Sequence, residues 1–208
     1  MKILITAGGT KENIDPVRYI GNYSSGKMGL AIADEAYSQG HDVTLISTFE
    51  IQKPYNVIVA KSSDEMYCAV SSEFPLADVL IMAAAVADFK PKTVAENKIK
   101  KTDKGTLTIE LVKTKDILKE ISKIKRNEQI VIGFCAESEN LLNNAQKKLD
   151  EKKLDFIVAN DISRKDIGFG SDFNEVTIIS KGGSKHHVAK STKQDIAKVI
   201  LKNCLHIC

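Results

Sequence analysis

The sequence has no excess of either charge, no long apolar run and no cysteine spacing of the metal-binding kind. Each absence removes a class of function. Thirty Lys and Arg stand against 27 Asp and Glu, a net charge of +3; the signs are interspersed, so composition does not point to nucleic acid. No stretch approaches the roughly 18 apolar residues of a membrane span, and no secretory signal is read ahead of Lys2. Cys68, Cys135, Cys204 and Cys208 show no metal-type pairing. A chain of 208 residues buries enough core to need neither disulfides nor metal staples. Linkers, repeats and low-complexity segments are missing as well. The expectation is a cytoplasmic protein with reduced thiols, folded as a single domain over 1–208.

Two nucleotide-binding fingerprints are also incomplete. Gly21 to Lys27 fits the first seven places of G-x-x-x-x-G-K-[ST], but Met28 occupies the position of the magnesium-binding hydroxyl. The preceding strand ends at Thr6, far upstream of where a P-loop would follow it. Tyr23-x-x-x-Lys27 has the spacing of the Tyr/Lys pair of short-chain dehydrogenases, yet lies a whole helix too early. No G-x-G-x-x-G follows the first strand.

What is present begins with Lys2–Thr6, an apolar run suited to a strand, which ends at Ala7-Gly8-Gly9-Thr10. Two glycines there permit a sharp turn and close approach to a ligand. A second cluster, Gly21 to Lys27, precedes an amphipathic stretch from Met28 to Tyr37. Ser24 or Ser25 is placed to cap that helix, whose N-terminus favours an anion. Between the clusters lie the turn signal Asp15-Pro16 and Arg18, a fork suited to phosphate or carboxylate.

Strands and helices then alternate. Strands are read at His41–Ser47, Val57–Val59 and Ala77–Met82, the last running into Ala83-Ala84-Ala85-Val86-Ala87-Asp88. Ser62-x-x-Glu65 is a capping box. Small residues at the C-terminal end of a strand leave room for a ligand, and Asp88 places a carboxylate there for a ribose hydroxyl or a magnesium ion. A lysine-rich segment, Lys90–Lys104, leads to a strand at Thr106–Val112; its position suits a lid over phosphates. Asp116 opens a helix. Gln129–Ile132 reads as a strand, about Ser138 to Lys153 as a helix, and Phe156–Ala159 as a strand. A glycine-bearing loop spans Gly168–Asn174, a hairpin joins Glu175–Ser180 to Lys185–Val188, and a helix covers Ser191–Cys204. This order specifies an α/β, Rossmann-like three-layer fold with a mainly parallel sheet and a C-terminal hairpin.

Taken in order, the segments TAGGT-x-E-x-I-DPVRYI, N-x-SSGKMG, AAAVADF, KIKK, GF-x-AE and VANDIS with GF-x-SD-x-N resemble the phosphopantothenate–cysteine ligase (phosphopantothenoylcysteine synthetase) family of coenzyme A biosynthesis. The likeness runs from Lys2 to about Ala197. In most bacteria this domain is fused to a flavin-dependent decarboxylase half, which is missing here, so no flavin is expected. The resemblance implies a ligation in two steps. The carboxylate of 4'-phosphopantothenate attacks the α-phosphate of CTP and releases pyrophosphate; the amine of L-cysteine then displaces CMP from the acyl-nucleotide. Mg2+ would accompany the triphosphate, near Asp88, and the protein would be a homodimer.

Carried over by position, the resemblance places Met82, Ala83, Ala84, Asp88, Lys98, Lys115, Asp116, Phe134, Lys148 and Lys152 around the nucleotide. Lys98 is the cation at the triphosphate, and Arg18 and Asn22 face the acyl group. Gly9, Thr10, Ser24, Ser25 and Gly26 shape the substrate loop. Three positions depart from the family pattern: Thr114-Lys115 replaces a common Asn-Pro beside the nucleotide, Tyr23 a frequent His, and Cys135 a frequent Ala. The first leaves ATP open as the alternative to CTP. The competing functional readings are an NAD(P)-dependent oxidoreductase and a non-catalytic nucleotide-binding module.

Overall fold

The computed structural model describes residues 1–100, 105–161 and 170–205. Strand β1 (Lys2–Ala7) is apolar on both faces: Ile3, Ile5 and Ala7 join one core cluster and Leu4 the other. A strand so buried belongs in the middle of a parallel sheet. After it come a hairpin, β2 (Lys11–Asp15) and β3 (Arg18–Gly21), then helix α1 (Lys27–Ser38), β4 (Asp42–Ser47), β5 (Asn56–Val59), α2 (Ser63–Glu73) and β6 (Val79–Met82). A second small hairpin pairs β7 (Phe89–Pro91) with β8 (Leu111–Lys113). The chain continues through α3 (Ile117–Ile124), β9 (Ile130–Glu137), α4 (Leu141–Glu151), β10 (Phe156–Asp161), β11 (Phe173–Ser180), β12 (Lys185–Thr192) and α5 (Lys193–Leu205).

Eight strands form one sheet in the order β12-β11-β10-β9-β6-β1-β4-β5. Its pairings are parallel from β5 to β10 and antiparallel across β10-β11-β12. Helices α1 and α5 cover one face, where Ile32, Ala36, Ile196 and Ile200 meet Ile5 and Ile81. The other face carries α2, α3 and α4, with Met66, Ile121 and Leu149 packed against Leu4 and Leu80. Each fully buried Ile or Leu of this kind contributes about 1.5–3 kcal/mol. The three-layer architecture and the parallel sheet follow the expectation.

The strand order reverses at β1. The chain leaves it to add β4 and β5 on one side, then returns to add β6 on the other. The loops after β1 and β6 therefore diverge at the C-terminal edge, the position at which open α/β sheets bind ligands. Helix α1 comes close to that edge because Gly29 has no side chain: a Cβ there would lie 2.6 Å from the Thr6 carbonyl oxygen. The hairpin β2–β3 is docked by Glu12. Its buried carboxylate accepts hydrogen bonds from the Ser63 amide (2.8 Å) and hydroxyl (3.0 Å), at the N-terminus of α2. The capping box of α2 is present, with Ser62 Oγ accepting from the Glu65 amide and Glu65 accepting from the Ser62 amide.

Several boundaries differ from expectation. Neither Ser24 nor Ser25 caps α1. Gly26 is the N-cap, at φ 77°, and no side chain bonds there; the chain enters the helix through a left-handed turn that glycine alone adopts cheaply. Helix α4 begins at Leu141 because Asn140 takes φ 51°, a conformation Asn tolerates and a helix interior excludes. The strand read at Thr106–Val112 shrinks to β8, although the Lys92 amide still meets the Glu110 carbonyl (2.9 Å) one step beyond the Pro91–Leu111 pair. Strand β12 runs on to Thr192, so α5 starts at Lys193. The hairpin β2–β3 was not foreseen. In the loop read at Gly168–Asn174, Gly168 and Phe169 lie outside the described residues, as do Lys101 of KIKK and the Ile162-Ser163 end of VANDIS.

Candidate active site

The segment Ala83–Asp88, leaving β6, is held by hydrogen bonds from three directions. Thr6 Oγ1 accepts the Ala84 amide (3.0 Å), and the Gly8 carbonyl accepts the Ala85 amide (2.8 Å). The Ala85 carbonyl receives the Thr10 amide (3.1 Å) and Asn22 Nδ2 (3.2 Å). Thr10 Oγ1 accepts the Ala87 amide (2.9 Å), while the Thr114 hydroxyl donates to the Ala87 carbonyl (2.7 Å) and the Thr114 amide to the Asp88 carbonyl (3.0 Å). Thr10 is fully buried. With main-chain groups satisfied from behind, the segment presents small side chains and one exposed carboxylate, Asp88, to the front.

In front lies a cleft of about 590 Å3. It brings together Asn22, Met82, Ala84, Asp88, Lys115, Asp116, Phe134, Lys148 and Lys152, all singled out from the sequence. Thr114, noted as a departure from the family pattern, also lines it, as do Phe89, Lys113, Ile117 and Leu118, which the sequence did not single out. The last two come from the buried face of α3, placed at the cleft by the Asp116 N-cap, whose carboxylate accepts the Lys119 amide at 3.2 Å. Two cations here have partners: Lys148 pairs with Glu137 (2.5 Å) and Lys152 with Asp116 (3.1 Å). Burial works against the Lys148 charge, but the Glu137 carboxylate outweighs it and raises the pKa above its ordinary value. Lys115 Nζ sits 4.2 Å from the centroid of the Tyr67 ring, a cation–π contact.

A second cavity, of about 140 Å3, adjoins the first and shares Ala84, Ala85, Phe134, Cys135 and Ala136 with it. Ala83, Ser24, Ser25 and Gly26 line this one, with Lys27, Asn160, Asn174 and Lys193. Lys27 donates to Asp172 (2.6 Å) and to the Gly170 carbonyl (3.0 Å). Lys193 is buried and donates to the Ser171 carbonyl at 2.5 Å. Its pKa is lowered by burial and by the nearby Lys27 charge. Asn160 Oδ1 is buried without a hydrogen-bond partner among the described residues. An orphaned acceptor on a cavity wall marks a place for a ligand donor or a water. Ser24, Ser25, Gly26 and Ala83 are site candidates from the sequence; Lys193 reads there only as part of the last helix.

The remaining candidates line neither cavity. Gly9 backs onto the first loop, where a Cβ would lie 2.7 Å from the Asn22 carbonyl oxygen. Lys98 is exposed on the loop beyond β7. Arg18 gives its guanidinium to Asp15 (Nη2 at 2.5 Å) and to the Ile99 carbonyl (2.9 Å). These contacts hold the Asp15 carboxyl well below the usual carboxylate range, the Arg18 hydrogen bond being the main cause.

Residues 1–207 match the family described as DNA/pantothenate metabolism flavoprotein C-terminal domain. The chain belongs to this family. It is 46% identical over 204 residues to the coenzyme A biosynthesis bifunctional protein CoaBC of Bacillus subtilis, covering 96% of this chain and 50% of that protein. The chain thus spans about half the length of the curated relatives it matches. Among solved structures, the C-terminal domain of a CoaBC protein superposes with a TM-score of 0.81 at 40% identity, covering 97% of this chain and 92% of that one. A mutant of Cab2, H337A, in complex with phosphopantothenate-cysteine shares the fold at 17% identity and a TM-score of 0.78, covering 97% of this chain and 85% of that one. No described helix is long and apolar enough to cross a membrane.

Cys135 lies on the wall common to both cavities, but burial pushes its thiol up to about 11. At pH 8 the nucleophilic thiolate is then roughly one part in a thousand. Iodoacetamide at that pH is expected to label the exposed Cys68 and to spare Cys135 and Cys204, whose thiol burial raises to about 12. Peptide mass spectrometry would read this directly. Rapid labelling of Cys135 in the folded protein would reopen the case for a thiol nucleophile.

Proposed function

We propose that the chain is a ligase joining 4'-phosphopantothenate to L-cysteine through an acyl-nucleotide, with CTP as the activating triphosphate. The observation that carries this reading is the pair of adjoining, cation-bearing cavities with one wall in common. Condensation through an acyl-nucleotide needs two anionic substrates held end to end, with the carboxylate of one against the α-phosphate of the other. The larger cleft suits the nucleotide: Asp88 meets the sugar hydroxyls, Phe134 offers an apolar face, and Lys148 and Lys152 are donors released from Glu137 and Asp116. The smaller cavity suits the phosphate-bearing arm of phosphopantothenate, with Ser24 to Gly26, Lys27 and Lys193 around it. Coenzyme A biosynthesis in the Bacillus subtilis relative, and phosphopantothenate-cysteine bound in the Cab2 mutant, agree with that substrate pair.

In the first step the pantothenate carboxylate attacks phosphorus and pyrophosphate leaves, drawing negative charge toward Lys98. In the second, the cysteine amine adds to the acyl carbon, loses a proton and expels the nucleoside monophosphate. Asn22, which lines the larger cleft and bonds the Ala85 carbonyl of the common wall, would donate to the acyl oxygen as it becomes an oxyanion. No group of three or more His, Cys, Asp or Glu able to cage a metal occurs among the described residues. Asp88 and the triphosphate together fit Mg2+, which usually keeps its waters and takes one or two carboxylates. The ion would offset phosphate charge.

The oxidoreductase alternative lacks a seat for a dinucleotide pyrophosphate. The loop after β1 is closed by its bonds to Ala85 and by the contact of Gly9 with Asn22. A bare nucleotide-binding module would have no use for the second cavity. The deciding experiment incubates the protein with phosphopantothenate, cysteine, Mg2+ and each nucleoside triphosphate in turn. Pyrophosphate release that requires phosphopantothenate is expected, fastest with CTP; silence with every triphosphate would sink the ligase.

A homodimer belongs to the same reading. The sheet edge at β12 carries Lys185, His186, His187 and Lys190, charges and polar groups of the kind that discourage edge pairing. Val17, Tyr19, Phe89 and Leu111, 41–59% exposed on the two small hairpins, form the better self-complementary face. Light scattering at micromolar concentration should give twice the chain mass, and Tyr19→Asp should halve it.

Replacing Asn22 by Asp keeps the shape but puts negative charge where negative charge develops, and sets a carboxylate against the Ala85 carbonyl it now bonds. Asn22→Asp is therefore expected to release pyrophosphate while acyl-nucleotide accumulates, visible by mass spectrometry after quenching. Equal slowing of both steps with no intermediate would make Asn22 a loop anchor only.

A further inference from the structure

Asp15 lines neither cavity, yet its carboxylate is buried and fully engaged. Oδ1 accepts the Val17 and Arg18 amides, both at 2.9 Å. Those two bonds are all that a tight turn at Asp15-Pro16 asks of an Asp side chain. The rest reaches across the chain. Oδ2 accepts Arg18 Nε (3.0 Å) and Nη2 (2.5 Å), and also the amide of Ile99 (3.1 Å), 84 residues away. Arg18 Nη2 donates in turn to the Ile99 carbonyl (2.9 Å). The ion pair thus grips both polar groups of one distant residue, and the Ala95 amide bonds the Ile14 carbonyl (3.0 Å) one step along the same strand.

The N–H of Ile99 belongs to the peptide plane that begins at Lys98, and a peptide plane is rigid. Fixing that N–H fixes the direction in which the chain leaves Lys98, and fixing the Ile99 carbonyl sets the following plane. Lys98 lies between two anchored points, Ala95 and Ile99, with its own side chain exposed. A backbone clamp beneath an ammonium that has no partner among the described residues orients the cation without occupying it. A surface turn needing only stability would not keep a buried carboxylate for this, since desolvating a charge is costly; the Arg18 side chain stays 43% exposed while it reaches Ile99.

We propose that Asp15, acting with Arg18 through the peptide groups of Ile99, is the positioning residue for Lys98. It sets where the ammonium meets the departing pyrophosphate, and so governs the first half-reaction only. This rests on the ligase reading given above for Lys98. It also gives Arg18 a task on the lysine loop in place of contact with the acyl group.

The test combines Asp15→Asn, Lys98→Gln and the double variant. Asn keeps an acceptor for the Val17 and Arg18 amides but loses the charge that holds Arg18 and the Ile99 amide. Phosphopantothenate-dependent pyrophosphate release in a single turnover should fall about 10- to 100-fold in Asp15→Asn, the range for a displaced group acting at a distance. The KM for the triphosphate should change little. In the Lys98→Gln background the same substitution should add almost nothing, because both changes remove one function. Trypsin should cut faster after Lys98 and Lys100 in Asp15→Asn, with cleavage elsewhere unchanged. Multiplying effects in the double variant, or unaltered cutting at Lys98 and Lys100, would overturn the proposal. So would a wild-type rate for Lys98→Gln, which leaves the ligase standing. Should Asp15→Asn be cut everywhere and prove unfolded, Arg18→Lys replaces it: Lys keeps a charge for Asp15 but lacks the fork that reaches Ile99, and the same non-additivity with Lys98→Gln is required. If no triphosphate supports pyrophosphate release in the wild type, the ligase reading fails separately, and the proposal for Asp15 falls with it even where the trypsin pattern shows the clamp.

Discussion

The main chain of Ala83 to Asp88 is the constraint on which the site depends. A backbone segment that leaves a buried strand must place its N–H and C=O groups somewhere, and facing a ligand they would compete with the ligand's own donors and acceptors. Here Thr6, Gly8, Thr10, Asn22 and Thr114 take most of them from behind. That arrangement requires the first loop to pass close beside the segment, which is why Gly9 tolerates no side chain against the Asn22 carbonyl. The short side chains of Ala83 to Ala87 follow from the same geometry. They leave open the two cavities that share this wall.

Electrostatics in the larger cleft are arranged so that a ligand exchanges partners and meets few bare charges. Lys148 and Lys152 are held by Glu137 and Asp116, and Lys115 rests over Tyr67. Both pairs are only partly buried and face the cleft, so a polyphosphate, which carries more charge than either carboxylate, would compete for the two ammonium groups. Asp88 is exposed and forms no ion pair among the described residues, though it adds to the field that favours the Lys148 charge. In the smaller cavity Lys193 is buried and its charge is disfavoured by burial and by Lys27. An incoming anion would relieve that repulsion, which gives the smaller cavity a preference for negative charge that its size alone would not.

The sheet, its parallel order and the ligand edge at Ala83–Asp88 were legible in the sequence because their signals are local, whereas Lys115, Phe134, Lys148 and Lys152 were assigned to the cleft only through the family resemblance. Apolar runs such as Val79–Met82 read as strands, the Ser62–Glu65 box marked a helix start, and the Ala-rich exit from β6 announced a ligand edge. The hairpin β2–β3 was not legible. Its strands are short, polar and exposed, and it exists because Glu12 docks on Ser63 and Asp15 on Ile99, contacts 51 and 84 residues apart. The cap of α1 was missed for a related reason. Ser24 and Ser25 have the right chemistry, but the left-handed turn at Gly26 leaves them facing the smaller cavity. Lys193 carries no sequence signal beyond helix propensity. Its position on the cavity wall comes from the path of β12 into α5, which only the folded chain reveals.

Thr114-Lys115 was the departure from the family pattern that bore most on nucleotide choice, and the geometry gives it a physical content. Thr114 does two jobs at once. Its amide binds the Asp88 carbonyl and its hydroxyl the Ala87 carbonyl, so it closes the front end of the segment that Thr10 closes from behind. A side-chain hydroxyl performs this anchoring through a single short bond. The residue after it is left free of backbone duty. Lys115 uses that freedom to lie over Tyr67 on α2, adding a cation to the cleft wall where a proline would add none. On the proposed ligase reading, its influence on the nucleotide would be one of charge. The path of the Asp88 loop, set by the two threonines, does not depend on it.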